Sequence, residues 1–167
     1  MSQHAPPHAG DVYAHSEQNH AKLAARYPDQ FSGENIGLSW PDGWHRIVAN
    51  VCAYAHEHQF PVQWHQIKEK FGCLRMYYRG GPLRMEIERF GQVSSVEVKG
   101  KRARVMAGFH DQVQAAESKS LKTCCRCGTS DAASAVSRRP FNGWWLTSCD
   151  ACAVVIQAYC DLSPRQR

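Results

Sequence analysis

No apolar run in this chain approaches the ~20 residues that a membrane-spanning helix needs, which predicts a soluble protein. Residues 1–20 hold His4, His8, His15 and His20 but no apolar stretch of the signal-peptide kind, so a reducing cytoplasmic location is expected. Histidine is missing from residues 128–167. The sequence also lacks a recognisable catalytic constellation, and the expectation is a protein that is not an enzyme. His56, His58 and His65 cluster near Glu57, yet neighbouring helical positions point in different directions, and exposed histidines at a helix end are the simpler reading.

Eight cysteines in a reducing compartment call for an explanation other than disulfides. Cys124 and Cys127 form one Cys-x-x-Cys pair and Cys149 and Cys152 another, a spacing that lets two short knuckles present four thiolates to one zinc ion. Gly128 follows the first pair, where a residue free to take positive φ lets the knuckle turn. The second pair precedes the apolar segment Ala153-Val154-Val155-Ile156-Gln157-Ala158-Tyr159, which places Cys149 and Cys152 at the first turn of a helix whose dipole favours thiolate. Between the pairs, Asn142-Gly143 flanked by aromatic residues predicts a β-hairpin. Knuckle, hairpin and ligand-bearing helix is the order of a treble-clef zinc finger. Treble clefs that act as nucleases need histidines in the hairpin or helix, which are missing here, and four thiolates leave zinc no open position. The ion is therefore expected to be structural. Cys52, Cys73, Cys125 and Cys160 read as structural thiols.

Net charge is +5, unevenly placed: residues 1–40 carry −2, 41–98 carry +1, 99–123 carry +4 and 124–167 carry +2. Residues 1–40 are expected as a disordered or loosely ordered arm with one short helix over 17–26, ended by Tyr27-Pro28. Residues 41–122 form the expected α+β domain. Trp44, Ile47, Val48, Val51, Cys52 and Ala55 have helical spacing, with Asp42 as N-cap. Strands are predicted over 62–67 and 73–79, the second placing Leu74, Met76 and Tyr78 on one face and Arg75, Tyr77 and Arg79 on the other. After a turn at Gly80-Gly81-Pro82 come a third strand over 83–88 and a hairpin of 93–98 with 102–105, then a helix over 106–121 carrying Met106, Phe109, Val113 and Ala116 on one stripe. Residues 123–167 complete the chain as the finger. The fold class is α+β, a small mostly antiparallel sheet with flanking helices plus a C-terminal treble-clef-like zinc finger.

The residues Gln66-Ile67-Lys68-Glu69-Lys70-Phe71-Gly72-Cys73-Leu74-Arg75, with Asp42-Gly43-Trp44 upstream and the paired knuckles ending in Cys149-Asp150-Ala151-Cys152, carry a resemblance. In that order, over residues 41–152, the chain resembles a group of small, mostly uncharacterised proteins of phages and prophages. It departs from them at Cys73, where glycine is more usual, and in the strand-like stretch 83–101. The resemblance implies a mobile-element origin and implies no activity.

Two kinds of partner suit this sequence. Nucleic acid is the first, since Lys99, Lys101, Arg102 and Arg104 form a basic run, Arg138 and Arg139 sit in the finger loop, and Arg75, Tyr77 and Arg79 mix charge with an aromatic ring. A host protein complex, such as a defence machine to be inhibited, is the second, with Trp144, Trp145 and Tyr159 as anchors. Neither a membrane nor a small-molecule substrate is implied.

Overall fold

Trp40, Trp44 and Trp64 are fully buried, and the described elements assemble around them. The structure, a computed structural model, describes residues 11–79, 84–89, 92–97 and 101–162. Along this stretch run α1 (Ser16–Arg26), α2 (Pro28–Phe31), α3 (His45–Glu57), β1 (Gln63–Lys70), β2 (Cys73–Arg79), β3 (Arg84–Arg89) and β4 (Gln92–Glu97). They are followed by α4 (Lys101–Ser120), β5 (Ser137–Phe141), β6 (Trp144–Ser148) and α5 (Asp150–Leu162). Strands pair as three antiparallel hairpins, β1–β2, β3–β4 and β5–β6. The fold is α+β, as the sequence predicts.

Alternation builds β2. Leu74 and Met76 are buried against the core while Tyr77 on the opposite face is exposed, the period-2 pattern that a half-buried strand requires. Both open edges of the β1–β2 hairpin are covered. Along β1, the Ser39 amide donates to the Ile67 carbonyl at 2.9 Å and the Ile67 amide to the Gly37 carbonyl at 3.0 Å. Along β2, the Leu74 amide donates to Ser120 Oγ at 2.9 Å and the Met76 amide to Glu117 Oε1 at 3.0 Å. Helix α4 thus lies beside β2, and its buried stripe of Phe109, Val113 and Ala116 faces inward. Phe109 meets Tyr78 edge-on at 4.9 Å and Phe60 at 5.1 Å.

Three sequence expectations differ from the structure. Residues 102–105 belong to the first turns of α4 and not to a strand. Residues 11–40 are not a loose arm, because Val12, Leu23, Tyr27, Leu38 and Trp40 join the core. Asp42 does not cap α3: it opens a short 3-10 turn, Asp42–Trp44, and its carboxylate instead accepts from the His15 amide and from Asn19 Nδ2 at 3.3 Å. The expected turn at Gly80-Gly81-Pro82 lies outside the described residues.

The finger is not a separate bead. Cys124, Cys125, Phe141, Leu146, Cys149, Cys152, Ile156 and Cys160 belong to the same buried cluster as Trp44 and Leu74. Trp44 Nε1 donates to the Thr123 carbonyl at 2.9 Å, a buried bond that joins the start of α3 to the chain entering the knuckle.

Candidate metal centre

Four side chains converge at the C-terminal end of the fold. The sulfurs of Cys124, Cys127, Cys149 and Cys152 all lie within 4.8 Å of one another, and Cys127 Sγ is 3.8 Å from Cys149 Sγ. A tetrahedron of sulfurs each ~2.3 Å from a central ion has edges of ~3.8 Å, so this spacing suits one four-coordinate metal. Local sequence explains the convergence. Gly128 takes φ 75°, and its amide donates to the Cys124 carbonyl at 2.9 Å, closing the first knuckle. Asn142 and Gly143, at φ 45° and 83°, form the two-residue turn that folds β5 onto β6 and returns the chain to Cys149. Cys149 immediately precedes α5, and its carbonyl accepts from the Ala153 amide at 2.9 Å.

The surroundings oppose and favour thiolate in turn. Burial would raise the Cys124 thiol, but N–H groups of Cys127, Cys149 and Arg126 aimed at its sulfur bring it below its ordinary value. Burial pushes Cys127 up, and it pushes Cys152 to about 12 despite the Arg126 guanidinium 3.8 Å from its sulfur. These directions hold for the thiols without an ion. A divalent cation shared by all four deprotonates them outright. Arg126 also pairs with Asp11, so a cation held from the N-terminal segment lies over the site. The remaining cysteines stay outside: Cys125 is fully buried and its thiol is raised first by burial, Cys52 lies in the core stripe of α3, and Cys73 Sγ donates to backbone carbonyls. Cys160 is buried along α5, away from the four.

Glycine holds the knuckle against the rest of the chain. A Cβ on Gly43 would stand 2.2 Å from the Cys124 carbonyl oxygen and 2.6 Å from the Gly128 nitrogen. Only a residue without a side chain lets these backbones meet.

The basic residues singled out from the sequence scatter. Arg75 is bound to Glu117 at 2.8 Å and Arg139 to Asp150, so both charges are neutralised within the chain. Arg79 lines a cleft of about 720 Å³ together with Asp29, His56 and Phe60. Lys101, Arg102 and Arg104 lie at the start of α4, and Lys99 lies outside the described residues. Arg138 is different: its guanidinium sits 5.0 Å over the ring of Trp145. Tyr77, Trp144, Trp145 and Tyr159 are each partly exposed. Sequence reasoning did not single out Lys68, Lys70 and Phe71 as site residues; the structure puts the Phe71 carbonyl against Arg138, Lys70 over the Phe71 ring and Lys68 over Tyr77, and the available signal was Phe71-Gly72 at the two positions between paired strands.

His56, His58 and His65 do not converge. His58 stacks on Tyr54 at 4.0 Å, His56 packs on Tyr27 at 5.4 Å, and His65 lies at the irregularity in β1. Among the described residues the four cysteines are the one cluster able to hold a metal, and no helix is long and apolar enough to cross a membrane. No protein-family model, no curated protein and no solved structure matches this chain.

Proposed function

We propose that this is a non-catalytic accessory protein of phage or mobile-element type, built around a structural Zn²⁺ on Cys124, Cys127, Cys149 and Cys152, that binds nucleic acid. Four soft thiolates at tetrahedral spacing favour zinc, and they leave it no vacant position. Elemental analysis of the reduced protein should give one zinc per chain.

One observation carries the nucleic-acid reading. Lys68, Lys70 and Arg138 lie on two adjoining hairpins, and among the described residues none of them pairs with a carboxylate, whereas Arg75, Arg126 and Arg139 all do. Unpaired cations on a rigid surface suit a polyanion, and the chain's surplus of +5 adds long-range attraction. Binding of a labelled oligonucleotide should weaken steeply with salt, the slope falling by ~0.7 for each phosphate contact removed from a single strand. Charge reversal at Lys101, Arg102 and Arg104 should reduce binding further if α4 joins the surface. No binding at low salt would overturn the reading.

A protein partner is the second reading, and α5 favours it. Val155, Tyr159 and Leu162 stand exposed at helical spacing, and Trp144 is also exposed. Capture of a host protein by the wild type but not by Tyr159→Asp would support a modulator of a host machine.

A further inference from the structure

Phe71 opposes both its local backbone and its solvent. It is the first residue of the two-residue turn between β1 and β2, where φ is 54° and Gly72 follows at 78°. A bulky side chain takes this left-handed conformation only at a cost, and asparagine or glycine would suit the turn better. The ring is also 65% exposed, so it contributes little to the core. A residue that violates two local preferences at once points to a role outside folding.

Its neighbours indicate which role. Lys70 Nζ lies 5.6 Å from the centre of the Phe71 ring, Lys68 Nζ 5.8 Å from Tyr77, and Arg138 Cζ 5.0 Å from Trp145. Each of these three rings is exposed, unlike Tyr27, which sits buried beneath Arg26. The two hairpins are locked together at this point. Arg138 Nη1 donates to the Phe71 carbonyl at 3.4 Å, Thr147 Oγ1 donates to the Gly72 carbonyl at 2.6 Å, and a Cβ on Gly72 would stand 2.8 Å from Arg138 Cγ. Lys68 and Lys70 point to one side of β1, spaced ~7 Å along the strand, and lead to the tip.

We infer that the β1–β2 tip and the face of the β5–β6 hairpin that it rests against, near Arg138 and Thr147, form a stacking platform for unpaired bases of single-stranded nucleic acid. Phe71 and Trp145 carry bases, Tyr77 extends the track, and Lys68, Lys70 and Arg138 face phosphates. The inference rests on the nucleic-acid reading above and narrows it. Every base has a π-face, so exposed rings beside cations accept a single strand with little regard to sequence. In a duplex those faces are hidden against one another, and a ring on a turn has nothing to stack on. A protein interface core is depleted of charge, so three unpaired cations set among the rings favour the polyanion.

Fluorescence anisotropy with zinc-loaded full-length protein tests this, using a labelled oligothymidylate of about ten nucleotides, a length that single-strand modules occupy, and a duplex of equal length. The wild type should prefer the single strand. Phe71→Asn removes the ring and relieves the turn, so single-strand affinity should fall by about 5- to 150-fold, the range for one lost stack, while the melting temperature holds or rises. Trp145→Ala should weaken the single strand likewise. Unchanged affinity in both variants, or equal wild-type affinity for the duplex, overturns the platform and leaves the nucleic-acid reading standing. A lower melting temperature in Phe71→Asn assigns the ring to the fold and overturns the platform as well. No wild-type binding to either probe at low salt overturns both and leaves a protein partner.

Discussion

The Gly43 amide donates to the Cys125 carbonyl at 2.8 Å, so the start of α3 and the first knuckle meet backbone to backbone. Nothing separates them: the space a Cβ on Gly43 would fill is taken by the Cys124 carbonyl and the Gly128 amide. The four-cysteine site is therefore seated in the core and is not appended to it.

Gly43→Ala should be among the most damaging single-methyl additions to this chain. Overpacking of this kind costs about 1–3 kcal/mol, and here the obstructing atoms are backbone and cannot rotate away. Urea unfolding should show the loss, and competition with a chelator should show weaker metal retention, because the knuckle must move to admit the methyl group. An Ala variant as stable as the wild type would mean that the two segments do not meet as described.

Metal removal should reach beyond the finger. Free energy of binding is free energy of folding for such a site, and the ligands share one buried cluster with Trp44 and Leu74. Chelation, or Cys149→Ser, should cost helix signal from α5 and also shift tryptophan emission to the red as Trp44 loses its bond to Thr123. Emission unchanged in the metal-free protein would instead show a finger that unfolds alone. Trp44→Phe probes the same joint from the other side: it leaves a buried carbonyl without its donor, at a cost of about 1–3 kcal/mol.

These joints also explain what the sequence disclosed and what it concealed. The four ligands and the hairpin between them were legible because Cys-x-x-Cys spacing and Asn142-Gly143 are local signals with local causes. The bounds of β2 were equally plain, since Leu74, Met76 and Tyr78 alternate cleanly with Arg75, Tyr77 and Arg79. Arg102–Val105 misled because four residues fit a period of two as well as one of 3.6, and only continuity with Phe109 and Val113 makes them helical. Val12, Leu38 and Trp40 carry no periodicity, being buried from turns and extended chain, so their place in the core is a tertiary fact. Phe71 escaped notice for the opposite reason, since a phenylalanine is expected inside. The candidate platform, where the β1–β2 tip meets the β5–β6 hairpin, depends on tertiary contacts that no local motif announces.

Acid should weaken the fold through two histidines that flank Trp40. His20 meets its ring edge-on at 6.2 Å and His45 stacks parallel at 6.4 Å. Burial lowers the His20 imidazole, and burial, then Lys22, lowers that of His45 against an opposing pull from Asp42. Unfolded histidine takes its proton near pH ~6.5, so below that point the unfolded chain binds more protons than the folded one. Stability is thus full above ~6.5 and declines as pH falls through the lower folded values. His20→Gln with His45→Gln should flatten this decline in urea midpoints. Metal content must be followed in parallel, because protons also compete for the thiolates; a slope unchanged in the double variant at constant metal content would exclude the histidines as its source.

Thr147 connects the hairpin between the two cysteine pairs to the candidate platform. Its hydroxyl is fully buried and gives its proton to the Gly72 carbonyl, and its own carbonyl accepts from the Cys125 amide at 2.7 Å. A metal ion shared by the four cysteines would fix Cys124 and Cys149, these would fix β6, and β6 holds the turn that carries Phe71. Thr147→Val keeps the shape and removes the donor, leaving a buried carbonyl unpaired at about 1–3 kcal/mol. If the platform operates as a unit, the variant should retain zinc and the β5–β6 hairpin yet bind single strands less tightly, since Phe71 and Trp145 are no longer held in register. Combining it with Phe71→Asn should then cost less in binding than the two changes separately, because the second removes a ring that the first has already misplaced. Strict additivity of the two losses would show that Thr147 affects binding independently of Phe71 and does not hold that ring in place.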